Sequence, residues 1–127
     1  MRTVLVIEDE QLVVELSIEL LNSWGFNAIN AIDSYMGVLL AKEFAPDLVL
    51  CKVSSKHNNY SAIRELRFHP LTAKIPLIFL ATKGTQLDNA CSEQLGINHC
   101  LIKPFSSEEL LQAVINCGLK LKTHLLQ

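Results

Sequence analysis

Glu8-Asp9-Glu10 places three carboxylates in a row directly behind the apolar run Thr3-Val-Leu-Val-Ile7. At the carboxyl end of a buried strand such acids are costly to desolvate, so they are either solvated in a loop or gathered around a cation. A second apolar run, Pro46-Asp-Leu-Val-Leu-Cys-Lys-Val53, carries Lys52 near its end, and Lys103-Pro104-Phe105 follows a third. Ligands of α/β sheets collect outside the carboxyl ends of the strands, which puts Lys52 at the mouth of any site the fold possesses. A Schiff-base role would need a lowered lysine pKa, and neighbouring acids raise it instead. The remaining alternatives for Lys52 are a fixed counter-ion among the acids and a surface lysine whose stem snorkels out to water.

The elements that must position these groups are legible from periodicity. Continuous apolar runs bounded by polar turns read as strands buried on both faces: Thr3 to Ile7, Pro46 to Val53 and Ile75 to Ala81, with shorter strands from Phe26 to Ala31 and from Asn98 to Ile102. Leu12, Val13, Leu16, Leu20, Leu21 and Trp24 recur at three- and four-residue spacing and predict a helix over residues 11–24 with those residues as its core stripe, ended by Gly25. Val14 and Ile18 widen that stripe. Asp33 or Ser34 can cap a second helix to about Phe44, and a third runs from Tyr60 to Phe68 before His69-Pro70. A more polar helix is expected from about Thr85 to Leu95. The last starts behind Ser106 or Ser107, with Glu109 in a capping-box position. Five strand-helix alternations with short connections imply right-handed βαβ crossovers and a parallel sheet covered on both faces.

The 127 residues suffice for one domain with a core of about 2–120 and a tail over 121–127. Half of them are apolar and the formal net charge is −2, so there is no field to draw in nucleic acid. No apolar run approaches the roughly 20 residues of a membrane span, and no signal-peptide segment follows Met1-Arg2; a cytoplasmic protein is expected. Cys51, Cys91, Cys100 and Cys117 stand far apart and read as reduced, mostly buried small residues. His57, His69, His99 and His124 are scattered, and none has zinc-ligand spacing.

Four signatures at the right strand ends give the chain a family likeness. Ile7-Glu8-Asp9-Glu10, Pro46-Asp47-Leu48-Val49-Leu50, Ile75-Pro76-Leu77-Ile78 and Lys103-Pro104-Phe105 together resemble the receiver domain of two-component response regulators, over residues 2 to about 120. The resemblance implies a flavodoxin-like (βα)5 three-layer sandwich with a five-stranded parallel sheet in the order 2-1-3-4-5, and Mg²⁺ and a phosphoryl group at the ends of the first and third strands. It maps Asp9 to the direct metal ligand, Glu8 to a ligand acting through water, and Lys103 to the lysine that pairs with the phosphoryl oxygens. It also maps the phosphoacceptor aspartate to Lys52, the hydroxyl residue to Ala81, and the aromatic switch residue to Cys100. The loop proline and glycine fall on Lys56 and Tyr60. Thr82 lies one place beyond Ala81 and, with alternating side chains, faces elsewhere unless a bulge returns its hydroxyl to the pocket.

These departures point to a pseudo-receiver: a non-enzymatic signalling domain that is not phosphorylated at the usual position. Magnesium is disfavoured, because an ammonium on the third strand removes a ligand and repels the ion. Glu8 and Asp9 against Lys52 and Lys103 sum to zero, so the pocket can close on itself without cofactor. With no effector domain following, output is expected through a protein partner such as a histidine kinase, a phosphotransfer domain or another regulator, or through a homodimer, with neither nucleic acid nor membrane. Leu12, Val14 and Ile18 form either an exposed apolar patch beside the pocket or part of the core. The fourth helix, fifth strand and fifth helix offer the other candidate surface. Two alternatives remain. Phosphorylation could move to Asp47, which begins its strand at the wrong end of the sheet, or to a loop serine. A flavin or nucleotide binder on the same fold would need a glycine- or hydroxyl-rich turn where Glu8-Asp9-Glu10 repels phosphate.

Overall fold

Where a strand must be buried on both faces, β-branched and leucine residues fill it without alternation, and the sheet is built from such runs. The structure, a computed structural model, describes residues 2–53, 60–82, 96–97 and 99–121. In chain order they form β1 (Thr3–Ile7), α1 (Gln11–Ser23), β2 (Asn27–Ala31), α2 (Ser34–Phe44), β3 (Leu48–Val53), α3 (Tyr60–Phe68), β4 (Leu77–Thr82), β5 (His99–Lys103) and α4 (Ser107–Asn116). The strands pair in parallel in the order β2-β1-β3-β4-β5, the flavodoxin-like topology. The helix expected at residues 85–95, Lys56, Cys91, His57, His124 and the tail from 122 lie outside the described residues.

Alternation along each strand divides the core in two. Val4, Val6, Leu48, Leu50, Ile78 and Leu80 pack with Leu21 of α1, with Trp24 at its C-cap, and with Leu110, Ala113 and Val114 of α4. Leu5, Ile7, Val49, Cys51, Leu77 and Phe79 face the other way, onto Val38 and Ala41 of α2 and Ile63 and Leu66 of α3. The sheet is therefore the middle of three layers.

Two strands begin later than the apolar runs suggest, for one reason. Pro46 and Pro76 lack an N–H for the ladder, so β3 and β4 start beyond them, and the Pro76 carbonyl accepts from Val49 N–H at 3.0 Å. Asp47 clips the start of β3 to the start of β1: its Oδ2 accepts from Thr3 N–H, and its own N–H donates to the Thr3 carbonyl, both at 2.8 Å. The helix ends follow capping chemistry. Asp33 Oδ1 accepts from Met36 N–H at 2.8 Å, and Ser106 with Glu109 completes a capping box before α4. Gly25 leaves α1 at φ +96°, a conformation that favours glycine.

The core face of α1 corrects the expected stripe. Leu12 and Leu16 are 76% and 43% exposed, whereas Ser17, between them and Leu21 on the wheel, is fully buried. At 100° per residue the inward side is centred on Val13, Ser17, Leu20, Leu21 and Trp24. Leu12 and Leu16 lie on one flank of it and the half-buried Val14 and Ile18 on the other, so the expected patch of Leu12, Val14 and Ile18 does not exist as one surface.

Candidate functional site

The carboxyl ends of β1, β3 and β5 bring the acids and lysines to one rim. β1 ends at Ile7, so Glu8, Asp9 and Glu10 follow at the top of the sheet before α1 begins. Lys52 is the penultimate residue of β3, paired in register with Leu80, and Lys103 is the last of β5, opposite Thr82. Lys52 Nζ donates to Asp9 Oδ1 at 2.7 Å. Lys103 Nζ donates to Glu8 Oε1 at 2.9 Å and to Glu10 Oε2 at 3.2 Å. Glu8 Oε1 also accepts from the Glu10 N–H, while Glu8 Oε2 is buried with no hydrogen-bonding partner among the described residues.

The two lysines live in different solvents. The Lys103 and Glu8 side chains are 9% and 0% exposed; those of Lys52 and Asp9 are 27% and 58% exposed. The hydrogen bond from Lys52 is the main cause that holds the Asp9 carboxyl below its usual range, and the same bond raises Lys52 above its own. A lysine raised in this way stays protonated, which leaves it without a Schiff-base role.

Glu8, Asp9 and Lys52 line a cavity of about 260 Å³ closed on its far side by Ile32, Asp33 and Ser34. Thr82 is not in it. Together with Lys103, Glu10, Leu12, Leu16 and Phe105 it borders a separate groove of about 370 Å³ between α1 and the β5–α4 turn. The single pocket expected from Glu8, Asp9, Lys52, Thr82 and Lys103 is thus two cavities, with the Glu8–Lys103 pair between them. Alternation accounts for the split: Ala81 is fully buried and paired with Val53 and Ile102, and Thr82, one place on, faces the exposed side. Cys100 sits half-buried opposite Phe79, and burial raises its thiol pKa, as it does for Cys117.

The expected zero sum of charge also changes. Glu10 shares Lys103 with Glu8, so three carboxylates face two ammonium groups. Glu10 was in view as the third acid of the triplet, but only the folded loop shows it turning back to Lys103. Asp33 was visible only as a helix cap.

Over residues 4–115 the chain matches the family of the response regulator receiver domain. The chain belongs to that family. This receiver is 31% identical over 114 residues to the transcriptional regulatory protein CpxR of Klebsiella pneumoniae, a match that covers 90% of the chain and 48% of CpxR. It therefore spans about half the length of that relative. Protein PilH of Pseudomonas aeruginosa is 28% identical over 115 residues, covering 90% of the chain and 95% of PilH. Among solved structures, the receiver domain of a Pseudomonas aeruginosa PAO1 sensor histidine kinase superposes with a TM-score of 0.79 at 27% identity, over 93% of this chain and 98% of that one. That structure holds a magnesium ion in its active-site cleft.

The residues of this receiver do not fit such an ion. Mg²⁺ needs near-octahedral oxygen ligands at about 2.0–2.1 Å and commonly takes one or two carboxylates with waters. Here Lys52 stands where a third-strand carboxylate would be, and its ammonium already holds the Asp9 oxygen at 2.7 Å, so a dication would lose one ligand and meet a fixed positive charge at another. Among the described residues no group of three or more His, Cys, Asp or Glu side chains is arranged to hold a metal, and no helix is long and apolar enough to cross a membrane.

Proposed function

We propose that this receiver takes no phosphoryl group at the third-strand position and acts in two-component signalling by binding another protein, independently of phosphorylation. The observation that carries the reading is the Lys52 ammonium on Asp9 at 2.7 Å. An ammonium offers no carboxylate to form an acyl phosphate, and it occupies the Asp9 oxygen that a metal would need. The position of Ala81 supports the same reading, since a buried methyl group cannot follow a phosphoryl oxygen as a hydroxyl can. Ordinary receivers couple phosphorylation to a two-state equilibrium. Without acceptor, hydroxyl and aromatic switch, binding rather than chemistry sets the state of this domain. Histidine kinases, phosphotransfer domains and other regulators are the partners that its family membership suggests, and the groove at Leu12, Leu16 and Phe105 is one apolar surface open to them.

Phosphorylation moved to Asp47 is the second reading. It is opposed by the place of Asp47 at the start of β3, with Oδ2 held by the Thr3 N–H at 2.8 Å. Incubation with acetyl phosphate and Mg²⁺, followed by intact mass measurement, separates the two. The expected result is no added phosphoryl group on the wild type. A labelled wild-type chain would overturn the reading, and peptide mapping would then find the acceptor.

A further inference from the structure

We propose that the cavity of Glu8, Asp9 and Asp33, continued by the outer face of α2, docks a basic, apolar-flanked segment of a partner protein, with an arginine or lysine side chain entering the cavity. This rests on the reading of the domain as a binding module and names the chemistry of what it binds.

The rim is left negative by its own ion pairs. Among the described residues, Glu8, Asp9, Glu10 and Asp33 face only Lys52 and Lys103 there, which leaves two carboxylates in excess. Glu8 lines the cavity, is 1% exposed, and keeps an Oε2 without a hydrogen-bonding partner among the described residues. A buried carboxylate in that condition is costly; a cation beside the exposed Asp9 and Asp33 carboxylates offsets its charge and donates charge-assisted hydrogen bonds to those two acids. Magnesium is disfavoured by the Lys52 ammonium on Asp9, but a guanidinium spreads a single charge over a weakly hydrated plane and needs no octahedral shell. A cavity of about 260 Å³ has room for one.

The surface beside the cavity is apolar. Ile32 and Tyr35 are 68% and 76% exposed, and Met36 and Leu39 extend the same side along the helix. Residues 35, 36 and 39 fall on one face at 100° per residue, with Ile32 just before the cap, while Val38 and Ala41 take the opposite face into the core. Exposed large side chains that are contiguous on a helix mark an interaction surface more than scattered ones do. Ser34 borders both this cavity and the shallow trough between Tyr35, Leu39 and α3, so the charged and apolar parts are continuous.

Charge complementarity selects the occupant. A second copy meeting this face across a two-fold axis would set the same acidic rim against itself, and Lys42, the cation of α2, is already held by Glu65 at 2.7 Å. A segment with one cation beside two or more apolar side chains satisfies both halves.

Selection of random peptides displayed on phage against the immobilised wild-type chain tests the proposal. The expected consensus is an arginine or lysine adjacent to leucine, isoleucine or an aromatic residue. A synthetic peptide of that consensus should lose more than about tenfold in affinity against Tyr35→Glu and against Asp33→Asn, in which asparagine keeps the helix cap, and should weaken with added salt. Ile115→Glu, at an exposed position of the last helix in the opposite layer, should leave its binding unchanged. Cooperative unfolding of each variant shows that it is folded. A selection that yields no binders, binders without a cation, or affinities indifferent to both α2 substitutions overturns the proposal. So does a homodimer in sedimentation that Tyr35→Glu dissociates. A wild-type chain that accepts phosphate yet binds the peptide would sink the phosphorylation reading and leave this one standing.

Discussion

Two ion pairs stand at the same rim, made of the same atoms, and differ in their access to water. Glu8–Lys103 is buried; Asp9–Lys52 is open on the carboxylate side. The geometries barely differ, at 2.9 and 2.7 Å, so distance alone would rank them equal. Desolvation decides instead. A buried pair that loses one partner strands an uncompensated charge, whereas an exposed pair that loses one partner hands the other to water. The first pair is therefore structural and the second electrostatic: one holds β1 to β5, the other sets the charge seen by anything that approaches Asp9.

The largest effect expected from this contrast is on Lys103. Lys103→Met should lower the unfolding free energy by about 3–5 kcal/mol, because Glu8 is left buried with neither oxygen paired to a cation. Urea denaturation measures it directly. Replacing both members, Glu8→Leu with Lys103→Met, should recover much of that loss, since removing a buried pair together is far cheaper than breaking it. A single variant as stable as the wild type would erase the distinction between the two pairs.

Lys52→Met should cost only about 0.2–1 kcal/mol, the range of exposed pairs, and the difference should shrink further in 1 M salt, where the Debye length is about 3 Å. The 58% exposure of Asp9 is what places the pair at the small end. Its weight is in binding: Lys52→Met should let Mg²⁺ stabilise the chain in a thermal melt where the wild type shows no shift.

The sheet was legible because runs such as Val4-Leu-Val-Ile7 and Leu77-Ile-Phe-Leu80 have no polar face to misplace; β3 and β4 start late where a proline withheld its N–H, and β4 runs one residue further than expected, to Thr82. The third helix was read to the residue, as Tyr60–Phe68. The first helix was not. Its apolar side chains spread well beyond one face, and the residue that settles the matter is a serine: Ser17 is fully buried, its hydroxyl without a partner among the described residues, a choice that hydrophobicity disfavours. At the site, the meeting of acids and lysines followed from the strand ends. Which lysine takes which acid did not, because it depends on loop geometry: Glu10 folds back to Lys103 and leaves Asp9 to Lys52. Pockets bordered by a helix cap such as Asp33 are invisible to motif reading for the same reason.

The smallest expected effect is a pH dependence of the open pair. Lys52 holds the Asp9 carboxyl below its ordinary value of 3.8, so the unfolded chain takes up that proton first as pH falls. The contribution of the pair is therefore complete above the ordinary value and is lost as pH drops through the lower folded one. On the alkaline side the contribution of the raised Lys52 is complete below its ordinary value of 10.5 and is lost as pH rises through the higher folded one. The stability difference between wild type and Lys52→Met, taken from urea curves across pH, should thus be a plateau between the two values that closes toward zero in acid. Asp9→Asn, which removes the titrating group, should abolish the acid limb of that difference. A difference that grows in acid would mean that Lys52 is repelled at its site rather than held there, and the open pair could no longer be what sets the charge of the pocket.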